Sequence, residues 1–452
     1  PVTFEDVMNI VDLEQPDGVL VQFGGQTPLN IAQRLMNAGA PILGTSPNAI
    51  DLAEDRKKFG AILDKLDIPK PEYGTALSEE EAVNVTTKIG YPVLVRPSYV
   101  LGGRAMEIVY NDQQLLDYVR KAADVSPEHP ILIDSFLEDA FEFDVDALCD
   151  GEQVYIAGVM QHIEEAGIHS GDSSCVLPPY WLTDNGLKKI EEYTRQITLE
   201  LGVQGLINIQ FAEKGGTVYV LEANPRASRT VPFVSKATDV PLARIATGIV
   251  LGKTLSDYKL SEFSTNGHIA VKKPVFPFNK FPEENVFLGP EMKSTGEVMG
   301  VAPRFGDAFA KAITGDGQSL PTSGKAFVSV NDNDKMKVLP IVRDLAELGF
   351  EVVATEGTAQ TCRRNGIRTE KIFKVGEGRP NAVDGIKNGE IQLVINTPLG
   401  AQSRYDEYAI GRAAIQARIP VVTTLSGAQA AVRAIRSKNI NEVRSLQEIH
   451  GK

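Results

Sequence analysis

The chain has 452 residues, of which 42% are hydrophobic and 23% charged, a composition typical of a soluble globular protein with about three domains. Its net charge of -13 disfavours nucleic acid and anionic membrane surfaces as partners, and no apolar run reaches the roughly 18 residues that a membrane-spanning helix needs. The three cysteines, Cys149, Cys175 and Cys362, lack the spacing of metal ligands. We therefore expect thiols in a reducing compartment, the cytoplasm.

Alternating strands and helices begin the chain. An apolar strand at 19–23 is followed by Gly24-Gly25, a helical pattern at 28–37 and a second strand at 41–44. This alternation predicts a small α/β domain over residues 1–54.

The segment 55–252 carries helices and longer strands rich in β-branched residues, which predict a domain of mixed α+β type. Helices are expected at 55–66, 78–89 and 184–201, and strands at 92–96, 107–110, 131–136, 142–148, 154–160, 206–213 and 217–222. The last two strands form a hairpin that turns at Gly215-Gly216.

Residues 253–320 contain several prolines and glycines and favour a cap and linker. From 321 to 452 strands and helices alternate again. Strands are expected at 326–330, 351–354, 391–396 and 420–424, and helices at 334–348, 358–365, 406–417 and 426–437. This order predicts a doubly wound, Rossmann-like α/β domain.

The hairpin carries the first candidate site. Glu222 ends an apolar strand, where a carboxylate must be solvated, paired or bound to a metal. Together with the amides of Gln210 and Asn224 it supplies hard oxygen ligands suited to Mg²⁺, and Arg226 and Arg229 can bind a carboxylate or phosphate. The same residues also fit a solvated loop that leads into a helix.

The geometry of the turn bears on this choice. A bulged or odd-length loop near Gly215-Gly216 would place Gln210 opposite Glu222 on one face of the sheet. A strict two-residue turn would place the two side chains on opposite faces.

Two other segments are candidates for phosphate or nucleotide binding. Arg96 ends a strand and precedes the loop 97–106, whose Gly102-Gly103 backbone can approach phosphate oxygens closely and can flex. The segment 164–173 is polar, contains His169 and can line a nucleotide. Each segment taken alone also fits an ordinary surface loop.

Three segments in this order, 95–110, 165–179 and 205–243, closely resemble the large subunit of carbamoyl-phosphate synthetases. Residues 276–282 and 288–300 add to a resemblance that spans essentially the whole chain. It implies the second half of such a subunit: part of a pre-ATP-grasp domain, an ATP-grasp domain, and a methylglyoxal-synthase-like regulatory domain. Because the chain starts without methionine, in what resembles mid-domain, we expect it to be a piece of a longer protein.

The resemblance also implies an activity, cofactors and partners. The expected reaction converts carbamate and ATP into carbamoyl phosphate and ADP, for pyrimidine and arginine biosynthesis, with two Mg²⁺ or Mn²⁺ ions and K⁺ as a further candidate. The expected partners are a glutaminase (small) subunit, the N-terminal half of the large subunit and a nucleotide effector. Two alternatives are another ATP-grasp ligase, such as a carboxylase or peptide ligase, and a catalytically silent nucleotide-binding regulatory fragment.

Individual roles follow from the resemblance in the same way. The residues that it assigns to ATP are Arg96, Ser135, Leu137, Glu142, Gly167, Ile168, His169, Ser170, Gln210 and Glu222. Its metal ligands are Gln210, Glu222 and Asn224, and its catalytic residues are Arg226 and Arg229. Its effector site comprises Lys335, Thr355, Thr358, Lys374 and Asn396. Lys273 stands where ornithine-responsive relatives carry a carboxylate, which argues against regulation by ornithine.

Overall fold

The computed structural model describes residues 1–97, 106–125, 130–278, 280–281, 286–397, 404–437 and 442–451. The α-helices are α1 (Phe4–Glu14), α2 (Gln26–Asn37), α3 (Pro47–Glu54), α4 (Arg56–Lys65), α5 (Glu79–Ile89), α6 (Asp112–Val125), α7 (Asp184–Glu200), α8 (Val231–Thr238), α9 (Leu242–Val250), α10 (Phe305–Gly315), α11 (Leu339–Glu347), α12 (Glu356–Arg364), α13 (Ala382–Lys387), α14 (Arg404–Gln416), α15 (Leu425–Ile435) and α16 (Leu446–Ile449).

The strands are β1 (Val19–Leu20), β2 (Ile42–Leu43), β3 (Tyr73–Ala76), β4 (Val93–Pro97), β5 (Glu107–Val109), β6 (Ile131–Ser135), β7 (Phe141–Asp150), β8 (Val154–His162), β9 (Cys175–Leu177), β10 (Gln204–Lys214), β11 (Thr217–Asn224), β12 (Ile269–Val275), β13 (Gly296–Ala302), β14 (Gly324–Val330), β15 (Phe350–Ala354), β16 (Glu370–Lys371), β17 (Ile391–Thr397) and β18 (Val421–Val422). The chain divides into two compact units. The first comprises residues 1–162, 177–266 and 446–452, and the second comprises 163–176 and 267–445.

The described residues of the first unit form three sets of paired strands. A parallel pair joins β1 to β2, and a four-stranded sheet has the order β3-β6-β4-β5. In the antiparallel order β11-β10-β7-β8, one face packs against α4 and α7 in an apolar core. Phe143, Ile209 and Phe211 lie on that face and are almost fully buried. Burial of one face leaves the other available for polar side chains.

The second unit is built on a parallel five-stranded sheet in the order β16-β15-β14-β17-β18. Its faces contribute to two apolar clusters, because Ala326 and Val328 belong to one and Phe327 to the other. The doubly wound prediction is therefore confirmed. The chain leaves β14 toward β15 on one side and later returns on the other side as β17, so the strand order reverses at β14.

The segment 253–320 contains more regular structure than its sequence indicates. Strands β12 and β13 pair antiparallel, and α10 packs on them in an apolar cluster that includes Val271 and Ala312. Gly300 permits this packing, because a Cβ there would collide with the Ala308 carbonyl on α10. Lys272 is buried within β12, which obscures the apolar pattern of that strand.

The helix predicted at 334–348 is shorter in the structure. It begins at Leu339, and Pro340 occupies its first turn, where the missing N–H of proline is tolerated. Residues 332–334 form a 3₁₀ turn instead. Within the described parts of the chain, no helix combines the length and apolarity needed to span a membrane.

Candidate functional site

Strands β7, β10 and β11 present a polar face opposite the apolar core. Antiparallel pairing places residues that are opposite each other on the same face. One row joins Asp144, Gln210 and Glu222, and the next joins Asp146, Asn208 and Asn224. We call these six residues, with Glu142 at the start of β7, the polar face. The predicted metal ligands Gln210, Glu222 and Asn224 all lie on it.

A β-bulge determines this arrangement. The turn is a strict two-residue turn, with Lys214 paired to Thr217, yet Gln210 is paired to Glu222. The register shifts because Leu221 is an extra residue in β11, between the Phe211–Val220 and Gln210–Glu222 pairs. In uninterrupted pairing, Glu222 would share a face with the core residues Val218 and Val220. The predicted relation between turn length and face is therefore wrong, since the shift lies along the strand and away from the turn.

Two backbone groups at the bulge have partners outside the hairpin, within the first unit. Arg56 Nη1 donates to the Leu221 carbonyl over 2.8 Å, and the Val220 amide donates to Pro69 O over 2.9 Å. Arg56 Nη2 also lies 2.5 Å from Asp134 Oδ1. The sequence placed Arg56 on a helix but carried no signal for its role in supporting the bulge.

Glu222, Asn224 and Arg226 form a short hydrogen-bonded series. Asn224 Nδ2 donates to Glu222 Oε1 over 2.9 Å, and Arg226 Nη2 donates to Asn224 Oδ1 over 3.3 Å. Glu222 is exposed, so its carboxylate is open to a ligand from solvent. Arg226 Nε is buried and donates to no described atom. A buried donor of this kind can serve an oxygen of a bound substrate.

The turn after β11 is held by Gln22, which sequence reasoning missed. Gln22 is buried, and its Nε2 donates to Pro225 O over 2.8 Å and to Thr45 Oγ1 over 2.9 Å. The backbone carbonyl of Gln22 accepts from the Ala227 amide over 2.9 Å. The sequence signal for this role is a glutamine at the end of an apolar strand, since a buried amide must find hydrogen-bond partners.

The remaining residues assigned to ATP in the first unit lie on β4, on β7 and near the end of β6. Arg96 Nε is 3.6 Å from Asp134 Oδ2, so Asp134 lies between Arg96 and Arg56. Ser135 ends β6 and donates its amide to Glu72 O over 2.7 Å, and Leu137 follows in the next turn. The loop 98–105, with Gly102 and Gly103, lies outside the described residues.

Glu142 is accompanied by a histidine that the sequence did not single out. His162 is buried, with Nδ1 3.2 Å from Glu142 Oε2 and Nε2 2.9 Å from Asp144 Oδ2. The alternation of Glu142, Asp144 and Asp146 along one strand is a sequence signal for this polar cluster. His162 thus restrains two acidic side chains of the polar face.

The residues Gly167, Ile168, His169 and Ser170 belong to the second unit. The His169 amide donates to Gly289 O over 2.8 Å, and Lys272 Nζ donates to Ser170 O over 3.2 Å. Asp172 accepts from the amides of Lys293 and Ser294 over 2.7 and 2.9 Å. These bonds fix the shape of the loop that is assigned to the nucleotide.

Lys273 and Glu164 form part of a partly buried charged group in the same unit. Lys273 Nζ lies 3.2 Å from Asp316 Oδ2. Burial raises the pKa of Glu164, whereas hydrogen bonds from Ser174 and the charge of Lys273 lower it. The positive charge of Lys273 is therefore paired with the Asp316 carboxylate.

The predicted effector residues lie in and beside the loops that follow strands of the parallel sheet. Thr355 follows β15 at the start of α12, and its Oγ1 is 3.1 Å from Ser329 Oγ at the end of β14. Thr358 Oγ1 accepts from the Val330 amide over 3.4 Å. Asn396 lies near the end of β17, and its Nδ2 is buried without a described acceptor. The three residues thus surround the point where the strand order reverses, where ligands bind in such sheets.

Two lysines complete this group. Lys335 Nζ lies 2.5 Å from Asp332 Oδ1, and Gly357 leaves room for it, because a Cβ there would come within 2.8 Å of Nζ. Lys374 Nζ is 4.0 Å from Glu377 Oε1 and more than half exposed. We call Lys335, Thr355, Thr358, Lys374 and Asn396 the strand-end cluster.

Comparison with known proteins first defines the class. Residues 55–258 match the family described as carbamoyl-phosphate synthase L chain, ATP binding domain. Residues 1–52 match the carbamoyl phosphate synthase preATP-grasp domain, and residues 337–423 match the MGS-like domain.

The fold resembles biotin carboxylase from Campylobacter jejuni, with a TM-score of 0.57, 14% identity, and coverage of 69% of this chain and 78% of that one. A 2-oxoglutarate carboxylase biotin carboxylase domain from Hydrogenobacter thermophilus, solved with MgADP and bicarbonate, has the same TM-score of 0.57 at 17% identity, with coverage of 69% and 76%. The chain thus joins an ATP-grasp domain to an MGS-like domain.

Closer relatives identify the family. The carbamoyl phosphate synthase large chains of Archaeoglobus fulgidus and Methanobrevibacter smithii are each 56% identical, over 100% and 99% of this chain. That of Pseudomonas syringae is 52% identical over 100% of it. The chain belongs to the carbamoyl phosphate synthase large-chain family, and it spans 42% of the length of these relatives.

Proposed function

We propose that this chain is the carbamate-phosphorylating half of a carbamoyl-phosphate synthetase. The observation that carries the proposal is the bulged pairing of Gln210 with Glu222, which brings an exposed carboxylate and the amides of Gln210 and Asn224 onto one face. In the proposed reaction a carbamate oxygen attacks the γ-phosphorus of ATP. The bond between that phosphorus and the bridging oxygen breaks, and its electron pair leaves with ADP.

The side chains of the first unit supply binding and charge stabilisation. The buried Nε of Arg226 has no described acceptor and can donate to an oxygen of carbamate or of the transferring phosphoryl group. Arg96 and Arg229 add fixed positive charge for phosphate and carboxylate oxygens. No covalent intermediate with the protein is needed, so the chain acts by positioning and electrostatics.

The donor set of the polar face fits a divalent cation. Glu222 offers a carboxylate, and Gln210 and Asn224 offer amide oxygens, which are the hard ligands that Mg²⁺ prefers. A flip of the Asn224 amide would turn its oxygen toward the Glu222 carboxylate and would replace the hydrogen bonds that the amide now makes with Glu222 and Arg226. When bound, two Mg²⁺ ions neutralise charge on the phosphoryl oxygens. Mn²⁺ is an alternative occupant and K⁺ a further candidate.

The parts of the whole enzyme follow from its family. We propose that a glutaminase subunit and an N-terminal half of the large chain supply the carbamate, since the relatives are more than twice as long as this chain. We propose the cytoplasm as the compartment, which suits three buried thiols. For the domains we propose 1–54, 55–252, 253–320 and 321–452, supported by the family matches.

The strand-end cluster is proposed as a nucleotide effector site. Lys335 and Lys374 would bind a phosphate, and Thr355 and Thr358 would donate hydroxyl hydrogen bonds at the start of α12. The unsatisfied Nδ2 of Asn396 supports a polar ligand at this point. Effector binding would change the reaction through a coupling free energy of about 1–3 kcal/mol.

The reverse reaction tests the proposed function. The chain should form ATP from carbamoyl phosphate and MgADP, measured by coupled phosphorylation of glucose. We expect Glu222→Gln to lower the rate at least about 100-fold, because removing the carboxylate charge weakens the proposed metal site. Glu192→Gln, an exposed carboxylate on α7, is the matched control and should retain the rate.

Each outcome distinguishes between candidate functions. ATP formation from acetyl phosphate but not from carbamoyl phosphate would indicate another ATP-grasp ligase. MgATP binding in calorimetry without any ATP formation would indicate a silent regulatory fragment. An active Glu222→Gln variant would remove Glu222 from the proposed metal site.

A further inference from the structure

We propose that Asp146 is a positioning residue, whose carboxylate binds the hydroxyl groups on both sides of Arg229 and fixes the backbone from which that arginine extends. This inference rests on the proposed function, in which Arg229 faces carbamate or the transferring phosphoryl group. Loss of this positioning should therefore change the KM for carbamoyl phosphate and leave the KM for the nucleotide nearly unchanged.

The two carboxylate oxygens of Asp146 divide the flanking residues between them. Ser228 Oγ donates to Oδ1 over 2.8 Å, and Thr230 Oγ1 donates to Oδ2 over 2.6 Å. The two hydroxyls are also 2.7 Å from each other. Arg229 lies between two residues that are both tied to one carboxylate, so its backbone has little freedom to rotate.

The carboxylate is itself held from the neighbouring strand. Asn208, directly opposite Asp146 on β10, donates its Nδ2 to Oδ1 over 3.0 Å. Asn208 is in turn opposite Asn224, one of the proposed metal ligands. The 228–230 segment is thereby tied to β7 and, through Asn208, to β10, the strand that carries Gln210.

Two features are difficult to explain by folding alone. Asp146 is fully buried, where a carboxylate is costly to desolvate and an apolar side chain would pack with less penalty. Thr230 stands at the N-cap of α8, where a hydroxyl commonly accepts from the helix, but it donates to Asp146 and makes no cap bond among the described residues. Both features lower the stability of the fold, and both fix the position of the segment that carries Arg229.

Steady-state kinetics of ATP formation test this proposal. Thr230→Val removes one hydroxyl at constant shape and Thr230→Ser restores it. We expect Thr230→Val and Asp146→Asn each to raise the KM for carbamoyl phosphate about tenfold, the usual effect of losing a hydrogen bond to a charged group, and to leave the KM for MgADP within about twofold. Thr230→Ser should behave as wild type. Thr194→Val, which removes a buried hydroxyl from α7, is the matched control and should change neither constant.

A double-mutant cycle separates positioning from general stabilisation. If Asp146 acts through Arg229, the Arg229→Ala variant should lose nothing further when Asp146→Asn is added. Additive losses, an equal rise of both KM values, or a wild-type KM in Thr230→Val would each overturn the proposal. The Thr230 series retains the test if Asp146→Asn does not fold.

Failure of the proposed function would be visible separately, as a wild-type chain that forms no ATP. Amide hydrogen exchange then still measures the positioning itself. The amides of residues 228–231 should exchange at least about tenfold faster in Thr230→Val than in Thr230→Ser, because loss of the Asp146 contact lets the segment open. Equal exchange in the two variants would overturn the role of Asp146.

Discussion

The polar face of the first unit and the strand-end cluster of the second unit are built in opposite ways. The polar face lies in the middle of antiparallel strands, so each side chain reaches it only if the register is correct, and one bulge at Leu221 sets that register. The strand-end cluster lies beside the ends of parallel strands, where the topology alone gathers the loops. The first site is therefore sensitive to residues remote from it in sequence, whereas the second depends mainly on its own side chains.

The largest expected effect comes from removing Arg56, the side chain that supports the bulge. Arg56→Met should lower the free energy of unfolding by about 3 kcal/mol or more, because it leaves the buried Asp134 carboxylate without that partner and Leu221 O without its donor. The same variant should lower ATP formation at least about tenfold, since Glu222 loses its fixed register. Denaturant unfolding and the coupled assay measure the two effects.

The control for Arg56 lies on the same helix. Lys58 pairs with Asp51 at the surface, and Lys58→Met should leave unfolding and ATP formation nearly unchanged. If Arg56→Met also left ATP formation unchanged, the bulge would not depend on this arginine.

The contrast also explains what the sequence could predict. Apolar strands buried on both faces, such as 326–330 and 391–396, alternate with helices and therefore predict the doubly wound sheet directly. The bulge was not predictable, because Leu221 simply continues the apolar run of β11 and nothing in its identity marks an extra residue. The roles of individual residues came from family resemblance and stay predictions.

Long-range partners were missed for a related reason. Gln22 and Arg56 act through contacts to residues more than 150 positions away, and these become visible only in the folded chain. Asp146 had a local signal, the alternation of three acids on β7, but the sequence did not show that two hydroxyls beside Arg229 share its carboxylate.

A second prediction uses the buried acid of the polar face. Burial raises the pKa of Asp146 from 3.8 to about 6, although hydrogen bonds from Thr230, Asn208 and Ser228 lower it. Because the folded pKa exceeds the unfolded one, the contribution of Asp146 to stability is fully present below pH 3.8 and is lost as the pH rises through about 6.

Asp146→Asn should therefore remove one pH-dependent cost. The free energy of unfolding of Asp146→Asn, relative to that of wild type, should be about 2 kcal/mol higher at pH 8 than at pH 4. Denaturant unfolding of both proteins at the two pH values measures this difference, and other titrating groups cancel in it. The same offset at both pH values would show that Asp146 does not titrate in this range.

The smallest expected effect concerns the strand-end cluster. Lys374→Ala should weaken binding of a nucleoside monophosphate about tenfold, or about 1.4 kcal/mol, because one charged contact to phosphate is lost. Its melting temperature should stay near that of wild type, since Lys374 is more than half exposed and its Nζ lies 4.0 Å from Glu377 Oε1. Calorimetry with a panel of purine and pyrimidine monophosphates, and with inorganic phosphate, measures the affinity.

Lys387→Ala, an exposed lysine on α13, is the matched control. Equal affinities for the Lys374 and Lys387 variants would place the effector elsewhere, and a large loss of stability in Lys374→Ala would show that this cluster, like the polar face, is coupled to the fold.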